Sequence, residues 1–181
     1  LLPSAVADIG GQQLYAWVQT AFLLPSVVSS LFVGRAMSVW GARRSYVLAF
    51  AGFALGLIIS MAAPSMVVFL IGRAVQGCAG GMLAGLGYGV MRLALAPALW
   101  TRALSLFSAM WGVGNFLGPL VGGLFAQLGF WRGAFIPLAA ASVSGIVLSL
   151  RTLPSRSESS TGERLPVISL ILLTLVTAAL S

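Results

Sequence analysis

The sequence predicts an all-α integral membrane protein, and three observations predict it. First, 59% of the 181 residues are hydrophobic and only 7% are charged, with a mean hydropathy of +1.04. A water-soluble globule of this composition would have too little polar surface to cover itself. Second, uncharged runs of about 20 residues, the length that crosses ~30 Å of hydrocarbon as a helix, follow one another along most of the chain. Third, all the basic residues are arginine, set against Asp8, Glu158 and Glu163, for a net charge of +7. These arginines stand at the ends of apolar runs instead of along one polar face, the arrangement of membrane topology signals and not of a nucleic-acid surface. Nucleic acid is therefore not an expected partner; the lipid bilayer is.

The remaining composition narrows the chemistry. A single cysteine, Cys78, excludes an internal disulfide and a cysteine-bound zinc. The absence of histidine removes the commonest metal ligand and general base. No apolar run carries a carboxylate pair, or a nucleophile with a base beside it, so no catalytic residue, no metal, no cofactor and no enzyme activity are expected.

In chain order, LLPSAVADIGG reads as the exit of a first span whose earlier part lies upstream, followed by a loop in which Tyr15 and Trp17 serve as interfacial anchors. Leu14 to Val33 is long enough for a second span, with Pro25 near its centre, and Gln19, Thr20, Ser26, Ser29 and Ser30 suited to facing protein or water. Gly34 to Tyr46, GRAMSVWGARRSY, is a short basic connection. Tyr46 to Ala63 forms a third span, closed by the turn Ala63-Pro64-Ser65.

The fourth span, from Met66, contains Arg73. An arginine at that depth costs roughly 2.5 to 3.5 kcal/mol on insertion scales, so it must face a cavity or a partner; snorkelling of its long stem to the near interface is the alternative. Gly77, Gly81, Gly85 and Gly89 follow on the row of Arg73 at intervals of four, a smooth ridge for close helix contact. The turn around Pro97, flanked by Arg92 and Arg102, leads to the uncharged run Ala103 to Phe130. Within it GVGNFLGPLVGG places Gly114, Gly118 and Gly122 on a second ridge, and Pro119 predicts a bend. The two ridges predict that the fourth and fifth spans meet closely, with Arg73 and Gln76 near one end of the seam. Gly133 to Leu150 is a sixth span. Arg151 to Arg164 is polar and serine-rich, as an aqueous linker is, and an apolar run begins again at Pro166. Residues 1–150 therefore read as one transmembrane bundle, 151–165 as a linker and 166–181 as the start of a seventh span, the sequence cutting across a span at either end.

Several of these stretches resemble the drug:proton antiporters of the major facilitator superfamily. GNFLGPLVGG fills every fixed position of their fifth-helix signature, G-x-x-x-G-P-x-x-G-G, through Gly114, Gly118, Pro119, Gly122 and Gly123. Arg73, Gln76 and Gly77 are similar to the fourth-helix motif R-x-x-Q-G, which in that family is linked to proton transfer. Gly34, Gly41, Arg43 and Arg44 match the loop motif between the second and third helices. Ser38 stands where that motif has an aspartate, and Leu93 lies near a usual acidic position late in helix four. The resemblance implies the N-terminal six-helix bundle of a major facilitator fold. It implies alternating-access export of small apolar or cationic solutes in exchange for protons, together with a C-terminal half of the same protein. A facilitator or symporter with another substrate, and a non-transporting sensor or scaffold of the same fold, are the alternatives. Arg35, Arg43, Arg44, Arg92, Arg102, Arg151, Arg156 and Arg164 share one side and Arg132 alone takes the other. The arginine-rich side is cytoplasmic by the positive-inside rule, and a bacterial plasma membrane is the expected location.

Overall fold

The computed structural model describes residues 2–153; the expected linker beyond Leu153 and the apolar run from Pro166 lie outside them. The described residues form helices and turns without a strand: α1 (Leu2–Ile9), α2 (Trp17–Ser30), α3 (Val33–Met61), α4 (Met66–Ala94), α5 (Pro97–Gln127) and α6 (Phe135–Thr152). Single 3₁₀ turns, Gln12–Leu14 and Trp131–Ala134, lead into α2 and α6. α3, α4, α5 and the stretch Trp131–Thr152 are long and apolar enough to cross a membrane.

Two boundaries differ from the sequence expectation. α1 continues past Pro3 to Ile9, so Asp8 belongs to its last turn and not to the following loop. More consequentially, the basic connection Gly34 to Tyr46 is helical on both sides of one residue, Gly41, whose φ of 77° and ψ of 168° are non-helical. That backbone region is essentially open to glycine alone. α2 itself has 14 residues, too few to span, but Leu31 and Phe32 keep right-handed helical torsions and carry it into the start of α3. The second span is therefore the helical path from Trp17 to Trp40, and the chain reverses at Gly41. The neighbours prove the reversal. Val33 lies against Gly85 and Met37 against Gly89, running parallel to α4; after the break Gly56 lies against Gln76 and Ser60 against Gly72, running antiparallel.

α4 is the centre of the bundle, with α2 on one side and α3 on the other, and α6 packs on the far side of α3. In lipid there is no hydrophobic driving force between helices, so close packing of small residues sets these contacts. A side chain on Gly77 would collide with the Phe22 backbone and one on Gly81 with that of Ser26. On α6, Gly145 receives the Phe50 ring in the same way.

The expected seam between α4 and α5 is not formed. The α4 ridge is occupied by α2, and of α5 only Phe107 and Gly122 are buried. α5 touches α4 chiefly at one end, where Tyr88 and Phe107 stack with centroids 4.9 Å apart and Arg92 lies 5.6 Å over the Trp100 ring. α5 stays helical through Pro119, where the sequence predicts a bend.

Candidate functional site: an arginine at a three-helix crossing

The side chains around Arg73 come from three helices. α4 supplies Arg73 and, one turn on, Gln76. The Arg73 guanidinium donates through Nη1 to Gln76 Oε1 at 2.9 Å. α2 supplies Phe22, whose ring centroid lies 4.5 Å from the guanidinium carbon. α3 supplies Gly56 and Ser60, and the antiparallel crossing is close enough that a Cβ on Gly56 would stand 2.7 Å from Gln76 Cγ. Gly72 is equally tight against Ser60. Gln76 is 1% exposed and Ser60 is fully buried.

These contacts decide how an arginine is tolerated here. Insertion costs roughly 2.5 to 3.5 kcal/mol. A charge-assisted hydrogen bond returns about 1.5 to 3 kcal/mol and a cation–π contact about 1 to 2. The two offset part of that cost and give Arg73 partners of its own within the bundle. The accounting is incomplete at three atoms: Arg73 Nε, Gln76 Nε2 and Ser60 Oγ are buried with no hydrogen-bond partner. Two of these can only donate.

The other sequence motifs fall elsewhere. Gly77 joins Arg73 on the α2-facing row, its missing side chain admitting the Phe22 backbone. On α5, a side chain at Gly118 or Gly123 would meet nothing within 4 Å, and Pro119 shares that open face. Gly114 and Gly122 lie on the same helix, Gly114 half-buried and Gly122 buried. Gly41, Arg43 and Arg44 lie at the reversal, with Arg43 half-buried and Arg44 exposed, and Gly34 lies about two turns before it. Ser38, at the motif's aspartate position, donates its hydroxyl to the Arg35 carbonyl at 2.9 Å.

Sequence reasoning missed the α3 side of the crossing, though Gly52, Gly56 and Ser60 repeat every fourth residue and carried the signal. It also missed a polar junction at the opposite end from the arginine-rich one. Arg132 ion-pairs with Asp8, the one ion pair among the described residues. Its Nε donates to the Met61 carbonyl at 3.0 Å and Nη2 to the Ala63 carbonyl at 3.3 Å. Trp131 Nε1 donates to the same Asp8 oxygen at 3.2 Å, and the Arg132 guanidinium lies 4.4 Å over the Trp131 ring. The Arg132 guanidinium, and after it the Trp131 indole, hold the Asp8 carboxyl below its ordinary pKa. Trp131 is in turn fixed by edge contacts to Phe69 and Phe135.

Comparison with known proteins agrees with the helical architecture. A sequence profile of the Major Facilitator Superfamily matches residues 1–180. A probable multidrug-efflux transporter of Mycobacterium tuberculosis is 44% identical over 188 residues, covering 100% of this chain and 40% of its own length. An acurin A biosynthesis cluster transporter of Aspergillus aculeatus is 35% identical over 181 residues, covering 97% of this chain and 32% of that protein. An efflux pump of Gibberella fujikuroi is 31% identical over 161 residues, covering 88% of this chain and 29% of that protein. The chain thus spans two-fifths or less of the length of these relatives. No solved structure matches. The chain belongs to the major facilitator superfamily.

Proposed function

We propose that this bundle is the N-terminal half of a secondary transporter that exports small apolar or cationic solutes in exchange for protons. The observation that carries the reading is Arg73, a charge within a span, bonded to Gln76 and stacked on Phe22 at the meeting of three helices. The relatives described as efflux transporters support the solute class. In this mechanism the bundle rocks against a second, C-terminal bundle around a central pathway. Arg73, Gln76 and Gly77 line the proton or substrate path. The open positions of α5 in the motif, Gly118, Pro119 and Gly123, turn toward that second bundle, while Gly114 and Gly122 give the same helix its small-residue row. Gly34, Gly41, Arg43 and Arg44 form the cytoplasmic turn, and the membrane is the plasma membrane of a bacterium.

Asp8 is the one acid among the described residues, and it is engaged by Arg132. This favours a second reading in which the protein facilitates transport or couples it to another ion. Uptake of a lipophilic cation into inside-out vesicles containing the intact transporter separates the readings. Proton exchange requires uptake that follows an imposed pH gradient and collapses with a protonophore; a facilitator equilibrates the cation regardless.

A further inference from the structure

We propose that Arg132 is a positioning residue that joins three elements at one end of the bundle, with Asp8 as the arm that fixes α1. One guanidinium reaches the ends of α1 and α3 from the turn that leads into α6. Its Nε and Nη2 donate to the Met61 and Ala63 carbonyls where α3 ends, beyond the backbone bonds that Ala62 and Ala63 make to the Ile58 and Ser60 carbonyls. Its Nη1 donates to Asp8 in the last turn of α1. Its own backbone belongs to the turn that starts α6. Five donors in a rigid plane make this sharing possible, and lysine, a point charge, cannot reproduce it.

The junction is held from beneath. Trp131 is 5% exposed, packs edge-on against Phe69 of α4 and Phe135 of α6, and donates to Asp8 from below the guanidinium. Asp8 therefore accepts from two neighbouring side chains. One turn earlier on α1, Ala5 is 1% exposed against the core. α1 is thus seated by the apolar contacts of Ala5, Val6 and Ile9 and by a charged one, and the charged one can be removed without touching the bonds that Arg132 makes to α3. Fixing the end of α1 makes it move with α3 and α6 as one body. That step rests on the transport reading given above, whereas the seating of α1 does not.

The test uses the intact transporter in membranes, with Cys78→Ala and a reporter at Ala5→Cys, probed by N-ethylmaleimide. Asp8→Asn is expected to raise the labelling rate of the reporter about tenfold, by freeing α1 while α3 and α6 remain bonded. Asp8→Glu is expected to restore protection, because it keeps the charge. Arg132→Lys is expected to label like Asp8→Asn. Equal protection in the Asp8→Asn and parent proteins at matched expression would overturn the assignment. In the same membranes Asp8→Asn is expected to lower the maximal export rate several-fold with KM held within about twofold. Increased labelling with an unchanged export rate would overturn the coupling of α1 to transport. A parent protein that exports nothing would contradict the transport reading alone, and the labelling would still decide the seating of α1.

Discussion

The backbone of Phe22 on α2 fills the space that a side chain on Gly77 of α4 would occupy, while the Phe22 ring lies 4.5 Å from the Arg73 guanidinium. One residue thus serves both as a close approach between two helices and as the cushion for a charge. The ridge and the arginine share a row on α4 because residues four apart share a face. Packing and placement of the charge are therefore one structural event.

Replacing glycines on the two ridges should have different consequences. Gly81→Leu forces a branched side chain into the Ser26 backbone and should destabilise the bundle by about 1 to 3 kcal/mol or more. Gly118→Leu meets open space and should leave the thermal stability of residues 1–153 nearly unchanged. If the α5 face receives the second bundle, the Gly118 variant of the intact transporter should fold and yet fail to transport. Thermal unfolding of purified variants, read beside transport, checks both statements.

The Asp8 pair has a defined pH dependence. Its carboxyl is held below the ordinary value, so its stabilising contribution is complete above that value and is lost as pH falls through the lowered one. The difference in unfolding temperature between the parent and Asp8→Asn should be constant above the ordinary carboxylate range and should vanish as pH falls through the lowered value. A difference that disappears near neutral pH would mean that another group titrates.

Orientation is open to the same kind of labelling. Gln12 and Arg132 lie at one end of the bundle and Ala98, beside Arg92 and Arg102, at the other. With the arginine-rich end cytoplasmic, a cysteine at Gln12 should react with an impermeant thiol reagent from outside and one at Ala98 only after permeabilisation. The reverse pattern would invert the bundle.

Much of this fold was legible because membrane spans announce themselves by length, and glycine ridges by spacing. Arg73 and the ridge from Gly77 to Gly89 were found as residues, but the helix that covers them was assigned incorrectly. A ridge states that a neighbour comes close; its spacing does not name the neighbour. The reversal at Gly41 was hidden for a related reason. A connection rich in arginine and serine resembles a loop in composition, and only the torsions of one glycine show that it is two helices meeting. The Asp8–Arg132 junction joins residues more than a hundred positions apart, a relation that local patterning does not encode, although both residues were visible as the isolated charges of one side.

The central claim is that Arg73 acts in exchanging solute for protons. Its most direct test is the proton movement itself, read with a pH-sensitive dye in acid-loaded inside-out vesicles carrying the intact transporter. Adding a lipophilic cation should dissipate the gradient with the parent protein. Arg73→Ala at matched expression should give no dissipation, and Arg73→Lys a partial one with altered pH dependence, because a buried lysine can lose its proton where arginine cannot. Dissipation by the alanine variant equal to that of the parent would contradict the account.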